Sequence, residues 1–279
     1  MRYQERAEAR VISDVGLPLF TAIGEGGALK REEFEQMYIA EDRLWWYRTL
    51  RDHVIAALAL ENLPLNTPRP RILDAGCGTG GMAERLRPYG AVVGIDLAPF
   101  AIAVCRERRG LHETAVASIT ALPFAANQFD LAVSLDVISV AGTSNDLQAL
   151  LEIARVLRPG GRLCLNLPAF RWLTGEHDVA VETKRRYTRG EALALLARAG
   201  FLPERLTYWN SALLPAVAGV RALSRLRGRD DAAVAHSDIA VPAAPINGTL
   251  RAITALEGRY LRRRDLPIGS SLLCVARKG

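Results

Sequence analysis

The stretch Ile72-Leu73-Asp74-Ala75-Gly76-Cys77-Gly78-Thr79-Gly80-Gly81 decides how the chain is read. An apolar run of strand length ends in a glycine-rich turn, and the turn opens a helix. Glycine tolerates positive φ and lets a ligand approach the backbone without a Cβ in the way. The N–H groups at the start of the helix can hold an electron-rich ligand group. A glycine turn of this kind is common to many nucleotide folds, so the neighbouring acids carry the discrimination. Asp74 stands just before the first glycine, where a carboxylate would serve a pyrophosphate badly and an ammonium group well. Asp96 ends the next apolar run about twenty residues on, placed to accept hydrogen bonds from two ribose hydroxyls.

Outward from this turn the pattern alternates. Candidate strands are Arg71–Asp74, Ala91–Asp96, Glu113–Ala117, Phe129–Leu135, Gly161–Leu167, Phe201–Tyr208 and Ser270–Arg277. Candidate helices between them are Thr79–Arg87, Pro99–Arg109, Ser144–Leu157 and Arg189–Ala199. Apolar strands alternating with helices predict a parallel sheet covered on both faces. Pro99 suits a first helical turn, and Thr188-x-x-Glu191 can form a capping box. Upstream, Arg31–Leu60 has apolar residues at helical spacing and a Trp45-Trp46-Tyr47 cluster. The prolines between Asn62 and Pro70 read as a linker. The alternation breaks between Tyr208 and Ser270, where helical segments are expected near Ala212–Leu226 and Asn247–Arg263, flanking a Pro/Ala-rich loop at Ala240–Pro245.

Asp74-Ala75-Gly76-Cys77-Gly78-Thr79-Gly80-Gly81 resembles motif I of the class I S-adenosylmethionine (SAM)-dependent methyltransferases, particularly the broad type 11 small-molecule group. Further matches follow in order: Val92-Val93-Gly94-Ile95-Asp96, Leu122-Pro123-Phe124 with Phe129-Asp130, and Glu152 through Gly161. The resemblance is dense over Arg71–Leu167 and extends to Ser270–Lys278 as the last strand. It implies an α/β, Rossmann-like, seven-stranded, mostly parallel sheet with an antiparallel last strand. An N-terminal helical lid region (1–65) would precede the methyltransferase domain (66–279), with a helical insertion at about 209–269 before the last strand. It further implies that Ala75, Gly76, Gly78 and Gly80 line the cofactor's methionine and ribose portion. Asp74 would serve its amino end, Asp96 the ribose diol, and Leu97 would flank the adenine. Where the family usually has an acidic residue for the adenine amino group, this chain has Ser118 beside Ile119. Leu135 and Asp136 would border the site, but the run Asp136-Val137-Ile138-Ser139-Val140 lacks the Glu-His that the family often has after the fourth strand.

Methyl transfer from a sulfonium needs a nucleophile held in line, water excluded, and a proton removed when the acceptor is a hydroxyl or ammonium. His177 is the first candidate base, followed by Asp178, in the segment after the fifth strand. A histidine beside an acid titrates in the useful range. Trp46, Tyr47 and Arg48 are expected to reach the cofactor or acceptor from the lid. Arg186 and Tyr187, with Arg185, would bind an anionic acceptor or form salt bridges. His53 and His112 are expected to be structural, and His236 carries no signal.

Composition sets the outer bounds. The chain of 279 residues is 49% hydrophobic and 24% charged, enough for a full core. A net charge of +6, almost all arginine, is spread in short clusters, as on solvated helix faces. No nucleic-acid partner is expected, since no basic–aromatic interleaving accompanies it. Cys77, Cys105, Cys164 and Cys274 lack metal or CxxC spacing and read as reduced, buried thiols of a cytoplasmic protein. No signal peptide or membrane span is expected, although Arg221–Arg229 beside an apolar helix leaves room for weak surface association. These observations lead to a SAM-dependent methyltransferase acting on a small molecule, with S-adenosylhomocysteine as product and no metal. An oxygen acceptor comes first and nitrogen second. The rival readings are a SAM-binding enzyme of another reaction type, a SAM-binding regulatory partner without turnover, and an RNA or protein methyltransferase.

Overall fold

The computed structural model describes residues 27–59, 69–141, 146–174, 185–219 and 241–279. Its centre is a seven-stranded sheet of β1 (Arg71–Ala75), β2 (Ala91–Asp96), β3 (Thr114–Val116), β4 (Phe129–Leu135), β5 (Leu157–Pro168), β6 (Phe201–Trp209) and β7 (Ser271–Lys278). The spatial order is β3-β2-β1-β4-β5-β7-β6. The first five strands in that order pair in parallel, and β7 runs antiparallel to both β5 and β6. The Rossmann-like sheet with an antiparallel last strand therefore stands as expected from the strand–helix alternation.

The two faces of the sheet follow the period of two along the strands, broken in β4 by the irregularity between Phe129 and Leu131. Leu73, Phe129, Ala132, Leu163, Leu165, Leu272 and Cys274 face one core. There they meet α6 (Asp146–Val156) and α7 (Arg189–Arg198) through Leu150, Ile153, Leu195 and Leu196. Ile72, Leu131, Val133, Cys164, Leu273 and Val275 face the other. That core is closed by α2 (Trp45–Leu58), α3 (Gly81–Leu86) and α8 (Ala244–Leu261) through Leu50, Val54, Leu58, Met82, Leu86 and Leu261. The remaining helices are α1 (Gly27–Arg43), α4 (Pro99–Arg109) and the short α5 (Ile138–Ala141).

Several local expectations hold. Pro99 sits in the first turn of α4, and Thr188 and Glu191 form the reciprocal capping box of α7. The four cysteines are free and buried. Two boundaries differ. β5 begins at Leu157, where Leu157 already pairs with Phe129 across a register shift, rather than at Gly161. The helical run read over Arg31–Leu60 breaks at Leu44, whose ψ of 129° is extended. The cause lies 200 residues away: Asn247 of α8 accepts from the Trp45 N–H (2.9 Å) and donates to the Arg43 carbonyl (2.8 Å). One side chain thus serves the unpaired backbone groups of both helix ends. Between Tyr208 and Ser270 the described residues show a helical turn at 214–219 and α8.

Tyr187 tests the packing of the first core. Its ring is fully buried, and its hydroxyl donates to Asp146 Oδ2 at 2.7 Å. Asp146 is itself 1% exposed. Tyr187→Phe leaves that buried acceptor with Arg185 alone, and should cost about 1–3 kcal/mol in urea unfolding. Unchanged stability would show that the pair does not hold the α6–α7 side together.

Candidate active site

The site grows from the carboxyl end of β1. Gly76, Gly78 and Gly80 have φ of 85°, 53° and 88°, the left-handed region that favours glycine. At Gly76 the requirement is also steric, since a Cβ there would collide with the Val137 side chain. The turn is fastened from β2: the N–H groups of Gly76 and Cys77 both donate to the Ile95 carbonyl at 2.8 Å. Asp96 then accepts from Gly78 N (2.9 Å) through Oδ2 and from Ala98 N (2.9 Å) through Oδ1. Burial raises the Asp96 pKa against these backbone bonds. Each oxygen keeps lone-pair capacity for a further donor.

Asp74 is 2% exposed, and its Oδ2 has no hydrogen-bond partner. Burial, with the nearby charges of Glu41 and Asp96, pushes its pKa up to about 8, although the Ala83 N–H opposes the shift. Unpartnered buried carboxyl oxygens are uncommon in native structures and call for a cause.

The third acid comes from α1. Glu41 Oε2 accepts from Thr79 Oγ1 (2.6 Å), Gly81 N (2.9 Å) and Arg109 Nη2 (3.0 Å), so the helix docks on the first turn of α3. Burial raises the Glu41 pKa, with Thr79, Arg109 and Arg51 opposing. Arg109 is buried and also donates to the Thr79 carbonyl (2.8 Å) and Glu84 (2.5 Å). Met37 of α1 packs on Gly78, where a Cβ would lie 2.9 Å from Met37 Cε. Gly80 faces Leu111, Cys105 and Arg109, so its role is packing of the turn on α4. Three acids thus converge on the turn from α1, β1 and β2; Arg109 meets Glu41 and backbone N–H groups meet Asp96, while Asp74 Oδ2 is left without a partner.

Asp136 directly follows β4 in a left-handed conformation, φ 59°, unusual without glycine. Its Oδ2 accepts from Asn166 Nδ2 (2.8 Å), and its N–H donates to the Asn166 carbonyl (2.9 Å). Asn166 Oδ1 is held in turn by Trp209 Nε1 at 2.8 Å. Trp209 lies 5.7 Å from Trp46, whose ring meets Tyr47 edge-on at 5.1 Å. Burial pushes the Asp136 carboxyl up to about 7, with Asn166 and the Arg186 charge opposing. Burial and the charges of Glu41 and Asp136 raise the Tyr47 hydroxyl as well.

The structure gathers Asp74, Ala75, Gly76, Gly78, Asp96, Asp136, Trp46 and Tyr47 at one end of the sheet. Ala75 is buried, and its carbonyl accepts from Ser134 Oγ at 2.9 Å. Leu97 is 72% exposed beside Asp96, a large apolar surface at the rim. Leu135 is half-buried. Ser118 spends its hydroxyl locally on Thr120, at 2.8 Å. Ile119 packs in the first core. Arg48 is exposed on α2. Arg186 Nη1 donates to the Ala169 carbonyl (2.9 Å), while Arg185 pairs with Asp146 (3.0 Å). Tyr187 is a core side chain. His177, Asp178 and His236 lie outside the described residues. His53 is buried among helices, and His112 is exposed.

Sequence reading missed Glu41, Arg109, Asn166 and Trp209. Asn166 left a trace, a polar residue inside the apolar run Leu163–Leu167. Glu41 and Arg109, 68 positions apart, left none.

Comparison with known proteins follows this geometry. Residues 73–165 match the family described as a methyltransferase domain. The malonyl-[acyl-carrier protein] O-methyltransferase of Salmonella typhimurium is 37% identical over 116 residues, 41% of this chain and 45% of that protein. The demethylmenaquinone methyltransferase of Thermus thermophilus is 42% identical over 113 residues, 38% of this chain and 48% of that protein. The chain therefore spans about half the length of these curated relatives. Among solved structures, the Haemonchus contortus phosphoethanolamine N-methyltransferase 2, held with phosphomonomethylethanolamine and S-adenosylhomocysteine, superposes with a TM-score of 0.50 at 20% identity. That match covers 84% of this chain and 52% of the other, and it speaks for the fold alone. Sequence motifs, sheet order and family match agree in likening residues 73–165 to a methyltransferase domain.

Proposed function

We propose that the chain binds SAM and transfers its methyl group to a small-molecule acceptor, an oxygen nucleophile first and nitrogen second. The observation that carries this reading is the buried, unpartnered carboxyl oxygen of Asp74 beside the glycine turn. An ammonium group in reach of Asp74 supplies the partner that the protein withholds. Asp96, with one lone pair spare on each oxygen, suits a vicinal diol, and exposed Leu97 suits an aromatic base. The similarity of residues 73–165 to methyltransferase domains supports the same assignment, and the Salmonella relative supports an oxygen acceptor. When bound, SAM supplies a methyl group on a positively charged sulfur, so the leaving thioether needs no proton.

The chain's own residues then have three tasks. Asp74, Asp96 and the turn orient the cofactor. Met37, Glu41, Trp46 and Tyr47 cover the site from α1 and α2 and exclude water. Asp136 takes the acceptor's proton, since its carboxyl titrates near neutral pH and Asn166 fixes its orientation. His177 and Asp178 are the alternative bases. Among the described residues no helix is long and apolar enough to cross a membrane, and free thiols favour a reducing compartment. We place the chain in the cytoplasm, without a nucleic-acid partner.

Asp74→Asn separates function from stability. A carboxyl whose folded pKa is raised keeps a proton that the unfolded chain releases, so stability falls as pH rises from about 4 to about 8. The variant removes that loss. In urea unfolding without ligand, Asp74→Asn should gain on the wild type between pH 5 and 8.5. Its affinity for S-adenosylhomocysteine, by calorimetry, should fall about tenfold or more. Undiminished affinity removes Asp74 from the site.

Asp136→Asn should lower kcat by about 10²–10⁴-fold with little change in cofactor affinity. The wild-type rate should fall as pH drops through about 7, because the base is then protonated. Full turnover in Asp136→Asn, with loss in His177→Ala, would give the proton transfer to His177.

A further inference from the structure

An opening lies away from the glycine turn, between α2, α3 and α8. This groove of about 440 Å³ is lined by Thr49, Asp52 and His53 of α2, Arg85 of α3, Arg251, Thr254, Gly258 and Arg259 of α8, and Arg262, which caps α8 at its C-terminus. Along α8 and its cap these arginines fall at 251, 259 and 262, a spacing of eight and three that puts them along one helix face. The lining charges are four guanidinium groups against the single carboxylate of Asp52. Asp52 pairs with Arg251 at 3.1 Å and stands 3.7 Å from Arg85. Glu257, the acid next to Gly258, is spent elsewhere on the N–H groups of Asn210, Ser211 and Ala212. Among the described residues, Arg259 and Arg262 have no ion-pair partner.

Two polar atoms in this lining are buried without a partner, His53 Nε2 and Arg251 Nη1. His53 is 6% exposed, and Trp209 holds its ring edge-on at 5.1 Å. Gly258 lets α8 approach that ring, since a Cβ there would lie 3.0 Å from His53 Cε1. Burial keeps the imidazole neutral, with its pKa near 4, so the ring offers one N–H donor. The unmet buried Arg251 Nη1–H, and a neutral imidazole that can carry its one proton on Nε2, stand beside excess positive charge and describe the complement of an oxyanion.

We infer that the groove between α2, α3 and α8 binds the phosphate group of a small organic anion. The donors stand on three walls, with Arg85 on one, Arg251, Arg259 and Arg262 on the second, and His53 on the third. A phosphate presents three or more oxygens in different directions, whereas a carboxylate presents two in one plane. Guanidinium forks match such oxygens in pairs. The groove's volume falls within the range of small-ligand sites. It touches neither the glycine turn nor Asp136, so it is a site of its own.

The test uses the full chain and its Arg259→Ala/Arg262→Ala variant, which alters two exposed side chains and should melt like the wild type by circular dichroism. Inorganic phosphate and pyrophosphate are titrated by calorimetry. Phosphatidylcholine vesicles containing phosphatidylglycerol are tested in parallel by co-sedimentation. Pyrophosphate should bind the wild type about tenfold or more tightly than the variant, while S-adenosylhomocysteine binds both alike. Binding confined to the anionic vesicles, and lost in the variant, would assign the phosphate to a lipid headgroup. No binding in either arm, or binding unchanged in the variant, overturns the assignment. Failure of S-adenosylhomocysteine alone bears on the glycine-turn site and leaves this one standing.

Discussion

The structure depends on a steric constraint at Gly76. The turn after β1 must pass under Val137, and only a residue without a side chain fits there. The N–H groups of the turn reach across to β2, where Ile95 and Asp96 receive them. Parallel pairing in the order β2-β1-β4 brings the carboxyl ends of three strands together. Asp74, Asp96 and Asp136 therefore converge without any loop of their own. The region beyond the carboxyl ends of the parallel strands, where open α/β sheets bind their ligands, is in this chain a place where acids are buried.

Such burial has an energetic signature. Asp74, Asp96, Asp136 and Glu41 all have raised pKa values, with desolvation as the leading cause. A fold selected for stability alone would place apolar groups of similar shape there. Here Glu41 is compensated by Thr79, Gly81 and Arg109, and Asp136 by Asn166, while Asp74 keeps one oxygen unmatched. Compensation is thus graded, and the deficit falls where a cationic ligand would sit. The α2–α8 groove shows the opposite imbalance, with unmatched donors beside excess positive charge. Among the described residues, the unmatched atoms at the glycine turn and in the groove thus differ in sign, an acceptor at the first and a guanidinium donor in the second.

How much of this was legible in the sequence follows from how local each cause is. The strands of the parallel region could be read because both their faces are buried, so nearly every residue in them is apolar. The turn was legible because positive φ leaves a glycine spelling. The α7 cap was legible because both partners lie within four residues. The α1–α2 break was not, because its cause is Asn247, a side chain over 200 residues distant. Glu41 failed for the same reason: an acid on a charged helix is ordinary until tertiary docking sets it on Gly81. Ile119 and Tyr187, expected at the site, have their side chains in the first core.

The central claim is where a nucleoside rests. A crystal structure of the chain with S-adenosylhomocysteine tests it most directly. The account predicts the sugar hydroxyls on Asp96, the amino group within hydrogen-bond distance of Asp74, and the sulfur facing Asp136. Adenosine bound anywhere else, or an Asp74 carboxyl still without a partner in the complex, would contradict it.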